Sequence, residues 1–362
     1  MTPRQRLLRT LTGKPVDRVP WSPFLAYYFE NLPADVQQRG QLEYLEKIGA
    51  DPLLRGEGSC YFKWRYNGNI TRREEPFNGG KREIFETKVG TLSQTVYTSG
   101  VSRTSLLKGH PVKTEEDLKV LMYLYENIEI EPSIDEFEAL NRRIGERGLP
   151  LPLVGVMGKT AFQSMVESWF GTEALAYALC DFPELIRECL EIMWEKDMET
   201  IRLAGETSAE ALLFFEDSST TNISPSMFKN YTLPEINAWG RALHASGKML
   251  VHHACGHLKG LAPLIAESEI DVLESVSPKP TGNIEIEDIA KLLPERIALI
   301  GGIEPLFFET CTMEDLEKRV RCLLDAMKGT RFVLANSDSC PPGVTEEKLR
   351  FVSRTAREIQ GF

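Results

Sequence analysis

The pattern that decides the fold is clearest in residues 271–300, DVLESVSPKPTGNIEIEDIAKLLPERIALI. Two short apolar runs, at 271–276 and 297–300, indicate buried strands, and the segment 285–293 between them has the spacing of a helix. Parallel strands need a crossover connection, which is usually helical. The stretch therefore predicts a β-α-β unit with two parallel strands.

The same alternation extends outward from this unit. Predicted strands are Val19–Phe24, Ala50–Leu54, Leu151–Met157, Ala211–Phe215, Met249–His252, Asp271–Val276, Ile297–Ile300 and Phe332–Ala335, and predicted helices include Glu184–Leu203, Ser226–Ser246, Glu285–Leu293 and Met313–Met327. Eight strands with intervening helices predict an α/β fold, a (β/α)8 TIM barrel that occupies residues 1–362 as a single domain. A doubly wound open sheet is the structural alternative, but no G-x-G-x-x-G motif follows an early strand.

One region interrupts the alternation after the second predicted strand. Residues Tyr61–Leu106 contain turn signals such as Asn67-Gly68 and Ser99-Gly100 and predict a β-meander, whereas residues 115–147 look helical. We expect residues 58–147 to form an insertion near the barrel mouth, where it would shape substrate access. A hairpin that is only decorative, or that forms a homodimer, is the alternative.

Composition limits the class of partner. The chain has a net charge of −11, which disfavours nucleic acid and anionic membrane surfaces as partners because both would be repelled. We see no apolar stretch long enough to span a membrane and no apolar core of a secretory signal near the N-terminus. The seven cysteines are scattered and odd in number, which favours reduced thiols in the cytoplasm.

Three of the five histidines fall in residues 252–257, HHACGH, where the fifth predicted strand ends. Residues two apart on a strand point the same way, so His253 and Cys255 can converge while His252 faces the other side. Cys340 follows the eighth strand, which faces the fifth across a barrel mouth. An isolated H-x-C pair is more often core packing, but imidazole and thiolate are preferred zinc ligands. Together they predict a zinc site with one position open for substrate.

The segment His253-Ala254-Cys255-Gly256, with the distant Cys340, resembles the zinc motif of corrinoid-dependent methyltransferases in the uroporphyrinogen decarboxylase superfamily. Further matching segments, which extend the resemblance over nearly the whole chain, are Asp17–Pro20, Val154–Gly158, Ser224–Phe228 and Gly301–Pro305. The resemblance implies a (β/α)8 barrel with its active site at the C-terminal ends of the strands. It also implies a corrinoid (cobalamin) carried by a partner protein, because the chain has no D-x-H-x-x-G segment of its own.

The decarboxylases of this superfamily carry an arginine-rich stretch after the first strand, which holds the carboxylates of the substrate. The equivalent stretch here, residues 21–29, is WSPFLAYYF and contains no arginine. We therefore expect a zinc-dependent methyltransferase that moves a methyl group between a small substrate, preferably a methoxylated aromatic, and corrinoid cobalt. A thiol methyltransferase of the coenzyme M type, a uroporphyrinogen decarboxylase-like lyase and a non-catalytic scaffold are the alternatives.

Other candidate residues lie at predicted strand ends. Glu274 is the leading candidate for a fourth zinc ligand, since some relatives close the zinc shell with a carboxylate near this position. Glu216 and Asp217 could orient the substrate or protonate a departing oxygen, and His257 could line the approach of the corrinoid. The aromatic residues predicted to line the substrate pocket, which are equally typical of core packing, are Phe24, Tyr27, Tyr28 and Tyr61.

Overall fold

The computed structural model describes residues 1–100 and 105–358. Its strands are β1 Leu53–Arg55, β2 Phe62–Tyr66, β3 Thr71–Phe77, β4 Gly80–Thr87, β5 Gly90–Thr98, β6 Ser105–Lys108, β7 Ile128–Pro132, β8 Leu149–Leu151, β9 Ala211–Glu216, β10 Met249–Ala254, β11 Val272–Val276, β12 Ala298–Ile303 and β13 Phe332–Asn336.

The helices are α1 Pro3–Leu11, α2 Ala26–Glu30, α3 Ala34–Arg39, α4 Gln41–Lys47, α5 Glu115–Glu126, α6 Ile134–Ile144, α7 Ala161–Ser164, α8 Thr172–Asp181, α9 Pro183–Glu206, α10 Pro225–Met227, α11 Leu233–Ala245, α12 Ala262–Ala266, α13 Ile286–Ile289, α14 Pro305–Thr310, α15 Met313–Ala326 and α16 Glu346–Glu358. Short 3-10 or π segments are Gly145–Arg147, Met165–Phe170 and Phe228–Thr232. Within the two described ranges, no helix is both long and apolar enough to cross a membrane.

Parallel strand segments occupy the eight positions of the barrel. Strands β9 to β13 form one five-stranded parallel sheet in chain order, and β1 pairs in parallel with β8. Backbone N–H···O bonds link the remaining neighbours: Ser22 to Leu334 (2.9 Å), Asp51 to Trp21 (2.7 Å) and Leu213 to Pro152 (2.9 Å). The fold is the predicted (β/α)8 barrel.

An apolar core fills the barrel and is closed at its N-terminal end by α1. This helix begins with a capping box between Thr2 and Gln5, and its Leu7 and Leu11 pack with inward-facing strand residues that include Val251. Neighbours on a strand alternate between faces, so His253 continues the inner face of Val251 toward the C-terminal end. His252 faces the surrounding helices, where it stacks on Phe214 with 4.6 Å between ring centroids. The predicted opposite orientation of the two histidines is confirmed.

Seven of the eight predicted strands are present as strands, several with different ends. The first strand shrinks to an isolated bridge at Trp21, because Pro20 and Pro23 have no N–H to donate to a ladder. The third strand ends at Leu151 with one further bridge at Leu153, since Gly155 and Gly158 turn the chain with positive φ angles of 80° and 71°. The predicted helix Ser226–Ser246 is divided by the π segment Phe228–Thr232.

The insertion after β1 differs from a simple meander. Strand β2 pairs antiparallel with β7, while β3 to β6 form a separate antiparallel sheet. The segment 115–147 contains α5 and α6 with β7 between them, so it is only partly helical. Residues 101–104 of the predicted meander and 359–362 of the predicted barrel domain lie outside the described residues. The division into one domain with an insertion at 58–147 stays a prediction.

Candidate functional site

A pocket of about 290 Å³ opens at the C-terminal end of the barrel. The predicted site residues that line it are Phe24, Tyr27, Glu216, Asp217, His253 and Cys255. Three larger cavities, of about 330, 500 and 790 Å³, contain none of these residues. The chemistry-bearing side chains are therefore concentrated in this pocket, where TIM-barrel enzymes have their active sites.

His253 is held in one orientation by a buried acid. On the sheet it lies beside Phe215 of β9 and Glu274 of β11, so the three side chains share the inner face. Its Nδ1 is 3.1 Å from Oε2 of Glu274, and Nε of Arg55 donates to the other Glu274 oxygen at 2.5 Å. With Nδ1 held in this way, Nε2 of His253 faces the pocket. Histidines that bind metals commonly have their second nitrogen held by a carboxylate in this way.

Glu274, the predicted fourth ligand, lies behind His253 and not in the pocket lining. The residue is 2% exposed, does not line the pocket, and has both carboxylate oxygens engaged by Arg55 and His253. Burial would raise the pKa of this carboxyl, but attraction to the Arg55 guanidinium and then to His253 brings the pKa below its ordinary value. In the structure Glu274 is an anionic group that orients His253 from behind.

Cys255 lies one residue beyond the end of β10, at a turn that requires glycine next to it. Gly256 has a φ of 89°, and a Cβ there would stand 2.6 Å from Cβ of Ser219. The Cys255 sulfur is 3.8 Å from Oδ1 of Asp217. Burial raises the pKa of the Cys255 thiol, and the negative charges of Asp338 and Asp217 raise it further.

Cys340 is not brought to the other two predicted ligands. It is fully buried and absent from the pocket lining, and its sulfur is 3.9 Å from the carbonyl oxygen of Pro341. Its backbone N–H donates to the carbonyl oxygen of Phe24. On the pocket side of His253, Oδ1 of Asp338 lies 3.9 Å from Nε2. In residues 1–100 and 105–358, no three His, Cys, Asp or Glu side chains converge as a ready metal site.

Glu216 and Asp217 both line the pocket, as predicted, in different environments. Glu216 is 1% exposed and accepts hydrogen bonds from the hydroxyl and the backbone N–H of Thr160, at 2.7 and 3.1 Å. Burial raises the pKa of Glu216 to about 8, so its carboxyl is mainly protonated at neutral pH. Burial and then the charge of Glu167 also raise the pKa of half-buried Asp217.

Three further predicted site residues lie outside the pocket, in addition to Glu274 and Cys340. The Tyr28 hydroxyl is 2.7 Å from that of Tyr44, and the fully buried Tyr61 donates its hydroxyl to the carbonyl of Leu153 at 2.9 Å. Both side chains pack in the core of the structure, and their predicted contact with the substrate stays a prediction. His257 is bound through its backbone N–H to Ser219 and does not reach the lining.

The structure adds residues that the sequence reasoning missed. Arg55 and Asp338 each lie just after a predicted strand. Their place in the sequence could therefore have predicted that they lie at the barrel mouth. Phe215 ends the fourth predicted strand and was available in the same way. Lys159 and Glu167 lie on the segment after the third strand, where no local pattern distinguishes them from surface charges.

The uroporphyrinogen decarboxylase (URO-D) family model matches residues 103–359, which is well over half of the chain. The chain belongs to the uroporphyrinogen decarboxylase family. A methylcobamide:CoM methyltransferase of Methanosarcina mazei is 26% identical over 370 residues, with 96% of each chain covered. The solved structure of a methyltransferase from Methanosarcina mazei superposes with a TM-score of 0.65 at 13% identity and covers 99% of both chains.

These comparisons bear on three of the predictions. Family membership and the barrel fold are confirmed by the match over residues 103–359 and by the structural superposition. The predicted enzyme class, a methyltransferase, is confirmed by the relative that shares 26% identity over the chain. The assignment of individual residues to metal, substrate and catalysis stays a prediction.

Proposed function

We propose that this member of the uroporphyrinogen decarboxylase family transfers a methyl group between a small substrate and the cobalt of a corrinoid carried by a partner protein, with zinc as its metal. The single observation that carries the proposal is the orientation of His253. Its Nδ1 is fixed by Glu274 and its Nε2 faces a pocket that also contains Cys255. The name of the Methanosarcina mazei relative supports the corrinoid.

The donor set fits zinc in its chemistry. His253 offers an imidazole nitrogen and Cys255 a thiolate, and the third predicted ligand, Cys340, is adjacent to Ser339 in the pocket wall. Ligation by Cys340 requires its side chain to turn away from the carbonyl of Pro341. Asp338 is the rival third ligand, because its carboxylate is already near His253. Zinc bound there would act as a Lewis acid that stabilises a substrate thiolate or polarises an ether oxygen.

The residues of the chain perform the remaining tasks. Glu216 holds a proton on a buried carboxyl at the pocket wall and is placed to give it to a departing oxygen. Phe24 and Phe215 stack 5.9 Å apart between centroids and give the pocket an apolar side that excludes water. The 290 Å³ pocket suits a substrate much smaller than a tetrapyrrole, which argues against a porphyrinogen lyase.

Two substrate types remain for the small reactant. A thiol is the better supported, because the 26% identical relative is named for methyl transfer to CoM. A methoxylated aromatic, preferred from the sequence, has weaker support, since Tyr28 and Tyr61 do not line the pocket and the aromatic lining reduces to Phe24, Tyr27 and Phe215. An assay of methylcobalamin formation or consumption with each compound distinguishes the two.

The metal assignment is tested by zinc analysis of purified variants. We expect about one zinc per chain in the wild type and a large loss in Cys255→Ser and in Cys340→Ser. Asp338→Asn should retain its zinc if Cys340 is the third ligand. Cys322→Ser is the matched control, because its thiol is exposed on α15.

Three results of this test would count against the proposal or change it. Equal and low zinc in the wild type and in all four variants would overturn the metal site. Loss in Asp338→Asn with retention in Cys340→Ser would replace Cys340 by Asp338 as ligand. Full zinc without any methyl transfer between cobalamin and a thiol or methyl ether would overturn the proposed reaction.

A further inference from the structure

The charged groups that line the pocket are strongly unbalanced. Three carboxylates face it, from Glu167, Asp217 and Asp338, beside the mainly protonated carboxyl of Glu216, against one cationic side chain, that of Lys159. Arg55 lies beneath the pocket but is 2% exposed and ion-paired with Glu274, so it offers no charge to a ligand. This excess of carboxyl groups affects how strongly the pocket would bind a charged substrate.

Lys159 is already paired with a lining carboxylate. Its Nζ forms an ion pair with Oε2 of Glu167, and the other Glu167 oxygen accepts a hydrogen bond from the Gln163 amide at 2.5 Å. Glu216 accepts two hydrogen bonds from Thr160 and adds no positive charge in either protonation state. An anionic substrate would have to break the Lys159–Glu167 pair to obtain a counter-charge.

Asp217 and Asp338 have no lysine or arginine partner among the described residues. Asp217 accepts from the side-chain amide of Asn222, and Asp338 accepts from the backbone N–H of Ser339 at 2.6 Å. Both side chains are half-buried at the pocket wall, where charge is screened less than on an open surface. Neutral partners leave the negative charge of each carboxylate available to a ligand.

The apolar side of the pocket is compatible with a cation. The rings of Phe24, Phe215 and Tyr27 form part of the lining, and aromatic faces attract ammonium groups electrostatically. A zinc ion with two thiolate ligands, from Cys255 and Cys340, is formally neutral and leaves the charges of Asp217 and Asp338 in place, so the metal does not reverse the sign of the pocket.

We propose that the pocket selects a substrate that carries a positively charged group, such as an ammonium, a few bonds from its reacting sulfur or oxygen, through Asp217 and Asp338. This selectivity rests on the proposed function for the identity of the reacting atom. It sets the chain apart from a transferase for an anionic thiol, because a sulfonate or carboxylate would meet two unpaired carboxylates and no free cation among the lining residues.

The test compares three methyl ethers of equal reach: 2-methoxyethylammonium, 2-methoxyethanol and 2-methoxyethanesulfonate. Their affinities are measured by calorimetry on the zinc-loaded protein and again after removal of the metal. We expect the ammonium compound to bind at least about tenfold more tightly than the sulfonate, as expected for one partly screened charge interaction. Ionic strength of about 1 M, where the screening length is ~3 Å, should reduce the ratio.

Variants assign the preference to the two carboxylates. In Asp217→Asn/Asp338→Asn the affinity ratio should approach one, while Asp35→Asn, exposed on α3, should keep the wild-type ratio. Equal or tighter binding of the sulfonate, no binding of any of the three compounds, or a ratio unchanged in the double variant would each overturn the inference.

Measurements on the same protein distinguish failure of the proposed function from failure of the charge selectivity. If the proposed function fails, zinc and methyl transfer are absent while the preference for the ammonium compound survives on the metal-free protein. If the charge selectivity fails, zinc and methyl transfer persist. In that case 2-mercaptoethanesulfonate is methylated from methylcobalamin with a kcat/KM equal to or above that of 2-aminoethanethiol.

Discussion

Two buried carboxylates lie at opposite ends of the barrel, and each is paired with arginine. At the N-terminal end, Asp51 is fully buried and bound by Arg6 at 2.5 Å, by Arg18 at 2.6 Å and by the backbone N–H of Trp21. At the C-terminal end, Glu274 gives one oxygen to Arg55 and keeps the other for His253. The partners of Asp51 are structural, whereas Glu274 fixes the orientation of His253, a residue of the pocket.

Burial and an arginine partner therefore do not by themselves mark a functional acid. Both groups are at most 2% exposed, and both would be costly to leave unpaired. The two carboxylates differ in what they hold in place. Asp51 holds a helix and a loop that close the barrel, whereas Glu274 holds the imidazole of His253 at the pocket. We therefore expect substitutions at the two ends to separate stability from metal binding.

The largest effect is expected for Asp51→Ala. Removal of this carboxylate leaves the cations of Arg6 and Arg18 without their shared partner inside the protein, which should lower the free energy of unfolding by ~3–5 kcal/mol. Urea denaturation at neutral pH measures the loss. Asp35→Ala is the control, since its pair with Arg39 is exposed and should change stability by less than about 1 kcal/mol. A loss of zinc affinity in folded Asp51→Ala would show that the N-terminal network also acts on the metal site.

The next effect is expected for Glu274→Gln at the other end. Without the anion behind it, His253 loses its fixed orientation, and zinc affinity should fall about 10- to 100-fold. Competition with a chelator measures the affinity. The double variant Arg55→Met/Glu274→Gln removes the unpaired guanidinium, so it should recover stability without recovering zinc affinity. Recovery of both together would mean that Glu274 acts only on stability.

The smallest effect is expected for Asp17→Asn, at the edge of the N-terminal network. The hydrogen bond from Arg6 holds the pKa of half-exposed Asp17 below its usual range. A lowered pKa stabilises the fold above the unfolded pKa of ~3.9 and loses this contribution as the pH falls. The wild type should therefore be more stable than the variant by at most ~1 kcal/mol between pH 5 and 8. The difference should shrink below about pH 4; if it grew there, the assigned cause would be wrong.

The sequence predicted the ring of strands because parallel buried strands leave a strong apolar pattern, as in Ala211–Phe215 and Phe332–Ala335. It also predicted that His253 and His252 face opposite sides, since alternation on a strand is a rule of the backbone. The role of Glu274 could not be obtained this way. Whether an acid at a strand end binds a metal or a histidine depends on Arg55, which lies 219 residues earlier in the chain.

Side-chain direction was the second limit. Tyr27 and Tyr28 are adjacent, yet the first lines the pocket while the second binds Tyr44 in the core, because the short helix α2 separates their directions.

The insertion was the third limit of what the sequence could predict. The turn signals located its hairpins, but the pairing of β2 with β7 is a contact between distant segments that leaves no local pattern.

The 219-residue separation of Arg55 and Glu274 also concerns the order of folding. His253 and Glu274 lie on neighbouring strands of the continuous five-stranded sheet, so their contact closes a short loop. Arg55 belongs to the other part of the ring and reaches Glu274 only once the first and last strands have met. We therefore expect the imidazole of His253 to acquire its final constraint late in folding, after the ring of strands has closed.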